Sequence, residues 1–265
     1  MLTTPYAIGA PIWVDLRTPD MEGAAAFYRA LFGWEHGPAG PGTGGYGFFR
    51  LDGGTAAGAM PLEPGQGPAS WSLYFATPDA DATVVAVRRR GGSVAAGPRD
   101  VTDLGRMAVC ADPGGAGFSL WQPGTNAGLD VVNSPGGFCW AELYASDEDV
   151  AYAFYSAVFG WQALSVPMPD GSGTYRMVNP AGQGPEGMFG GFVPLGTDPA
   201  ESGGAPHWLL YFAVTDCEAT VTAARELGGE VRVGATDIEG VGRFAKLSDP
   251  YGARFALMQG ARRDA

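Results

Sequence analysis

Apolar and polar positions alternate with a period of two from Ile12 to Arg17. Ile12, Val14 and Leu16 share one side of a strand, and Trp13, Asp15 and Arg17 share the other. Thr18-Pro19-Asp20 then caps a helix running to about Phe32. The aspartate supplies a side-chain acceptor, and the proline sits where its missing N–H does no harm. Gly33 ends the helix, as glycine adopts the left-handed backbone that closes one. Strands are predicted near Tyr46–Leu51 and Thr55–Pro61. The same order then recurs: a strand at Trp71–Thr77, a helix over Asp79–Arg90 closed by Gly91-Gly92, and strands near Val94, Arg106–Ala111 and Gly117–Gln122. The second half repeats it with helices near Asp147–Phe159 and Asp216–Leu227, so the chain reads as four βαβββ modules.

The two halves are copies of one unit. Trp13-Val14-Asp15-Leu16 answers to Trp140-Ala141-Glu142-Leu143, Phe27-Tyr28 to Phe154-Tyr155, and Phe32-Gly33-Trp34 to Phe159-Gly160-Trp161, each 127 residues apart. Trp71 to Ala76 answers to Trp208 to Ala213, Gly91-Gly92 to Gly228-Gly229, Gly105-Arg106 to Gly242-Arg243, and Asp112-Pro113 to Asp249-Pro250, each 137 apart. The drift marks an insertion in the second copy, placed in the Gly/Pro-rich connections around Gly182–Gly187 and Thr197–Ala205. The segment Pro123–Gly137 is rich in Gly, Asn and Pro and reads as a linker. The expectation is an α+β chain of two tandem domains, residues 1–125 and 137–265, joined by 126–136.

A net charge of −12 over 265 residues repels phosphate backbones and anionic lipid, so neither nucleic acid nor membrane is an expected partner. No run approaches the roughly 18 apolar residues of a membrane span. Met1–Trp13 lacks the basic and apolar regions of a secretory signal, so a cytoplasmic protein is expected. Cys110, Cys139 and Cys217 are odd in number and widely spaced, which suits buried small hydrophobes rather than a disulfide framework. Arg106 and Arg243, in equivalent Gly-Arg steps, are read as structural ion-pair partners rather than anion binders. Lys246 is the only lysine; the other fifteen cationic side chains are arginines.

The order of elements resembles the vicinal-oxygen-chelate superfamily of glyoxalases, bleomycin-resistance proteins and extradiol dioxygenases. So do the segment Pro19–Trp34, with Phe27-Tyr28 and Leu31-Phe32-Gly33-Trp34, and the turns Asp112-Pro113-Gly114-Gly115 and Asp249-Pro250-Tyr251-Gly252. The tandem layout is similar to that of actinobacterial glyoxalase-like proteins. The resemblance implies that each copy curls a mixed sheet around a cup that holds a ligand. It also implies three or four His, Glu or Gln metal ligands per cup. The corresponding positions hold Trp13, Ser72 and Ser119 in the first copy and Trp140, Leu209 and Ala256 in the second. Such side chains are poor donors for a divalent metal, so no metal and no cofactor is expected.

Strand alternation instead lines the cups with Trp13, Asp15, Arg17, Ser72, Tyr74, Ser119 and Trp121 in one copy, and with Trp140, Glu142, Tyr144, His207, Tyr211 and Met258 in the other. Indole, phenol and one carboxylate per cup suit a flat or amphipathic organic molecule. Two functions follow. One is metal-independent binding of an aromatic natural product or drug, in resistance or secondary metabolism. The other is an enzyme of the superfamily using the same cups: a cofactor-free lyase, isomerase or cyclase with Asp15 or Glu142 as the acid–base, or a glyoxalase or hydroxylase/dioxygenase with a metal held at a relocated site. A third, a structural partner protein with degenerate cups, fits the doubled acid–aromatic pattern less well. The expected partner is a small molecule, and the expected state a monomer or homodimer.

Overall fold

A computed structural model describes all of the chain except residues 1, 3–5, 41, 64, 66, 169–172, 199, 202–203 and 262–265. Both outer ends of the expected domains, and part of the 197–205 connection, lie outside the described residues. The first copy runs β1 (Pro11–Thr18), α1 (Met21–Phe32), β2 (Glu35–Pro38), β3 (Gly47–Leu51), β4 (Gly54–Pro61), then β5 (Ser70–Ala76), α2 (Ala80–Arg89), β6 (Ser93–Val101), β7 (Gly105–Ala111), β8 (Gly117–Pro123). The second runs β9 (Phe138–Ala145), α3 (Glu148–Phe159), β10 (Gln162–Pro167), β11 (Thr174–Asn179), β12 (Gly190–Pro194), then β13 (His207–Ala213), α4 (Cys217–Glu226), β14 (Glu230–Ile238), β15 (Gly242–Ser248), β16 (Arg254–Gly260). A 3-10 turn, Pro185–Gly187, lies between β11 and β12. The four βαβββ modules are therefore present. The largely exposed edge strands β2 and β10, which the alternation did not locate, complete them.

Each of the two sheets is eight-stranded, mixed and open, in the orders β2-β3-β4-β1-β5-β8-β7-β6 and β10-β11-β12-β9-β13-β16-β15-β14. Within them β1 runs parallel to β4 and β5 to β8, and the outer pairs are antiparallel hairpins. The four α-helices of the described residues start on an aspartate: Asp20, Asp79, Asp147 and Asp216 each accept from a backbone N–H of the first turn, which satisfies a donor the helix leaves open. Gly33 and Gly160 close α1 and α3 in the left-handed conformation, φ 75° and 73°. No helix of the described residues is long and apolar enough to cross a membrane.

The chain forms two compact units. One comprises Met1–Trp13, Ser72–Gly128 and Ala141–Trp208; the other Val14–Trp71, Leu129–Trp140 and Leu209–Ala265. In the first, Tyr155 of α3 stacks on Trp161 at 4.7 Å, and Phe75, Phe118, Phe159 and Trp208 pack around them. In the second, Tyr28 of α1 stacks on Trp34 at 5.6 Å among Phe32, Phe49, Trp71 and Phe255. These strand residues therefore lie on the helix-packed face where the alternation put them: Phe75 and Phe118 meet α3 of the second copy and Phe212 and Phe255 meet α1 of the first, whereas Trp71 and Trp208 meet the helix of their own copy. The two clusters are pinned alike. Trp161 Nε1 donates to the Gly9 carbonyl and Trp34 Nε1 to that of Gly136, both at 2.8 Å. Gly9 and Gly136, 127 residues apart, have φ of 78° and 79°, and a Cβ on either would lie 2.8 Å from a neighbouring side chain. Only glycine meets both demands.

Candidate functional site

The most developed polar cluster lies in the first unit, on strands of the second copy. Glu142 projects from β9 and is held by two phenols: Tyr175 Oη on β11 donates to Oε1 and Tyr144 Oη to Oε2, both at 3.0 Å. Room for the Tyr175 ring exists because Gly191, the β12 partner of Glu142, lacks a side chain; a Cβ there would run into the ring. Tyr144 Oη also lies 3.3 Å from Asp198 Oδ2. Burial, then the nearby Glu142 and Asp198 charges, push the Tyr144 hydroxyl far above an ordinary phenol, so it stays neutral. The His207 ring stacks on that of Tyr144, with centroids 5.2 Å apart and planes 9° from parallel. Its Nδ1 lies 2.9 Å from the Ala205 carbonyl, an acceptor only, so this nitrogen carries a proton. Its Nε2 lies 3.1 Å from Oε2 of Glu201, whose side chain is fully buried. That approach is close but too poorly aligned for a directed hydrogen bond.

Asp198 and Glu201 belong to the inserted connection. The residues that break the repeat thus furnish one wall of this cluster. The sequence brought Glu142, Tyr144 and His207 forward; Tyr175, Asp198 and Glu201 were missed. Tyr175 had a signal, since Tyr46 answers it 129 residues earlier, between the two offsets that mark the repeat. In the second unit Tyr46 Oη indeed approaches Asp15 Oδ2, at 3.4 Å. Both copies therefore set a phenol against the first-strand carboxylate.

The remaining predicted residues divide by exposure. In the first copy Trp13, Asp15, Tyr74, Ser119 and Trp121 are buried, and Arg17 and Ser72 half-buried. Tyr74 and Ser119 are register partners on β5 and β8, and the Trp121 indole N–H is spent on the Asn126 carbonyl at 3.0 Å. In the second copy Tyr211 is buried, whereas Trp140, Glu142, His207 and Met258 are half-exposed and Tyr144 lies at the base of its cluster. The second copy offers the more open aromatic surface.

Both triads of positions where the resemblance implies metal ligands can be read within single units. Trp13, Ser72 and Ser119 stand on β1, β5 and β8; Trp140, Leu209 and Ala256 stand on β9, β13 and β16. An indole, hydroxyls, an alkyl chain and a methyl group are not donors that strip a divalent cation of water. Among the described residues no group of three or more His, Cys, Asp or Glu is arranged to hold a metal ion. The residues present do not fit the family's metal.

Other reactive groups are tied up or muted. Burial raises the thiol of Cys139 to about 12 and those of Cys110 and Cys217 to about 11, out of the range of a nucleophilic thiolate. Arg106 pairs with Asp81 and Asp100, and Arg243 with Glu218 and Asp237, so both serve structure. An open groove of about 590 Å³ beside Arg243 and the start of α4 is formed around that ion-pair arrangement.

The whole chain has known relatives. The model of the Glyoxalase/Bleomycin resistance protein/Dioxygenase superfamily matches residues 11–120 and again 137–257. The chain belongs to this superfamily. It is 40% identical over 271 residues to the anthracycline biosynthesis protein DauV of Streptomyces sp. strain C5, covering 97% of this chain and 95% of DauV. It is also 40% identical over 261 residues to the putative glyoxylase CFP32 of Mycobacterium bovis, covering 97% of each. Among solved structures, the 2,3-dioxygenase LapB of Pseudomonas sp. KL28 superposes with a TM-score of 0.64 at 17% identity, over 97% of this chain and 95% of LapB. The Mn(II)-bound glyoxalase of Novosphingobium aromaticivorans gives 0.61 at 15%, over 95% and 82%. These likenesses establish the tandem fold.

Proposed function

We propose that this superfamily member binds an aromatic natural product without a metal, in secondary metabolism or resistance. The observation that carries the reading is the donor set: both triads of implied ligand positions hold side chains that do not coordinate divalent cations, while aromatic rings remain around them. The 40% identity to an anthracycline biosynthesis protein supports a polycyclic aromatic ligand. In this reading residues 1–125 and 137–265 are the two ligand-holding domains, joined by 126–136. Trp13, Arg17, Ser72, Tyr74, Ser119 and Trp121 line one cup and Trp140, Tyr144, His207, Tyr211 and Met258 the other. The protein is taken as cytoplasmic and monomeric or homodimeric, with no nucleic-acid or membrane partner, in keeping with its charge of −12.

The test combines elemental analysis of untagged protein with quenching of tryptophan fluorescence by a hydroxyanthraquinone. Substoichiometric metal and saturable quenching are expected. One equivalent of side-chain-bound transition metal per chain after mild chelation would overturn the metal-independent part, and absence of saturable quenching the binding part.

A second reading has an observation of its own. Glu142 is fixed by two phenols beside a stacked imidazole, an arrangement that could move a proton on a bound substrate. In that case Glu142, with Asp15 as its counterpart, is the acid–base of a metal-free lyase or isomerase.

A further inference from the structure

Nδ1 of His207 gives its hydrogen to the Ala205 carbonyl at 2.9 Å, so a neutral ring keeps only a lone pair at Nε2. That nitrogen stands 3.1 Å from Oε2 of Glu201; the imidazole is 24% exposed and the glutamate side chain fully buried. An ionised carboxylate oxygen also accepts and has no hydrogen to give. Two acceptors at this distance repel, and one proton on either turns the contact into an attractive one. Glu201 reaches the ring from the inserted connection, where the described residues form a turn. Glu201 N donates to the Asp198 carbonyl at 3.0 Å, Gly204 N to the Glu201 carbonyl at 3.2 Å, and Ala200 N to Asp198 Oδ1 at 2.9 Å. Asp198 in turn stands against the Tyr144 hydroxyl. What fastens Glu201 therefore fastens Asp198 at the cluster as well. In the first copy the places of His207 and Tyr144 are taken by Ser70 and Arg17, 137 and 127 residues earlier, and the insertion has no counterpart. The arrangement belongs to the second copy.

We propose that His207 and Glu201 hold one proton between them, and that this proton fastens the inserted connection to the Glu142 cluster. The pair is then a pH-sensitive catch on the site. The titratable groups that face the ring are Tyr144 on β9, with Glu142 behind that phenol, and from the connection Glu201 and, across the Tyr144 hydroxyl, Asp198. Its neighbour on β13, Trp208, carries no charge. Imidazole is the side chain whose charge changes between about pH 5 and 8. Loss of the proton to water leaves the Nε2 lone pair against the carboxylate, so the fastening is present at the acidic end of that range and lost as pH rises. The inference concerns how the cluster is held, and it stands independently of whether Glu142 binds a ligand or moves a proton.

The chain has two histidines, His36 and His207, which makes the test direct. Protein with nitrogen-15 in its histidine rings is followed by NMR from pH 5 to 8, with His207→Gln to assign the signals. Amide exchange of Ala200 and Glu201, corrected for the intrinsic dependence on pH, is measured over the same range. The His207 ring should pass from imidazolium to the Nδ1–H tautomer, and protection of the two amides should fall about tenfold over the same interval. In Glu201→Gln the side-chain amide donates to the neutral Nε2, so protection should stay high throughout. In Glu201→Ala it should be low throughout. Protection that stays constant while the wild-type ring changes state overturns the proposal, as does a ring that is neutral across the whole range. A fall in Glu201→Gln as steep as in wild type also overturns it. The wild-type measurement decides even where a variant fails to fold, and none of these outcomes requires a ligand.

Discussion

The Tyr28 hydroxyl of the first copy donates to Asp249 Oδ2 of the second at 3.1 Å, across 221 residues of chain, and accepts from Trp71 Nε1 at 3.1 Å. The same relay recurs with Trp208, Tyr155 and Asp112, at 3.0 and 3.3 Å. The helix tyrosine and the Asp-Pro turn, two separate marks of the family in sequence, are hydrogen-bond partners in space. Tyr28→Phe strips a buried carboxylate and a buried indole of their shared partner, which costs about 1–3 kcal/mol. Tyr155→Phe should cost a similar amount. Urea denaturation measures both, and a loss below about 0.5 kcal/mol in both would mean that the relays are incidental.

These relays also set a pH dependence. Burial raises Asp112 and Asp249 above the ordinary carboxylate value of 3.8, against the lowering effect of backbone N–H groups and the tyrosines. A raised value in the folded state means that the native protein holds protons the unfolded chain has released. The contribution is therefore fully present below about pH 3.8 and is lost as pH rises through the folded value. Asp112→Asn and Asp249→Asn should flatten this fall in stability. Denaturation midpoints between pH 4 and 7 that decline as steeply in both variants as in wild type would rule out this origin.

Trp13 and Trp140 occupy equivalent positions but differ in exposure, Trp13 being buried and Trp140 half-exposed. Trp140→Ala should weaken hydroxyanthraquinone binding by about tenfold to a hundredfold, from loss of a stacking wall, with a modest change in stability. Trp13→Ala should instead destabilise the fold by about 3–5 kcal/mol. Calorimetric titration alongside thermal unfolding separates the two effects. Equal loss of binding with no loss of stability in both variants would show that the two positions are alike.

Glu142→Gln decides between the proposed readings. The amide keeps the size of the side chain, and its oxygen still accepts from one phenol. A binding protein should lose no more than about tenfold in affinity. An acid–base enzyme should retain binding and lose turnover of its substrate by about two to four orders of magnitude. Mass spectrometry of small molecules carried through native purification, with wild type and variant side by side, reports whether the bound compound changes chemically.

Much of this architecture could be read from residue order. Strand parity put Trp71, Phe75, Phe118, Trp208, Phe212 and Phe255 on the helix-packed face, because a side chain that must meet a helix repeats every second residue. Parity says nothing about which helix. That Tyr28 meets Asp249 is a matter of long-range pairing, for which neither segment carries a local signal. The edge strands Glu35–Pro38 and Gln162–Pro167 escaped because their side chains are largely exposed and alternate in no apolar pattern. Asp198 and Glu201 escaped because a Gly/Pro-rich insertion has no period at all. Their role follows only from where Tyr144 and His207 stand.

The separation of Tyr28 from Asp249 has a consequence for synthesis of the chain. At the pace of translation, about 5–20 residues per second, α1 waits on the order of ten to forty seconds after leaving the ribosome before its aspartate exists. Tyr155 and Asp112 lie only 43 residues apart, so the unit that contains them closes while the ribosome is still at work. The nascent protein is therefore built from its middle outward. Its first helix can meet Trp34, Phe49 and Trp71 early, but its packing is complete only once Phe212, Asp249 and Phe255 have been made, and until then part of its aromatic face lacks its cover.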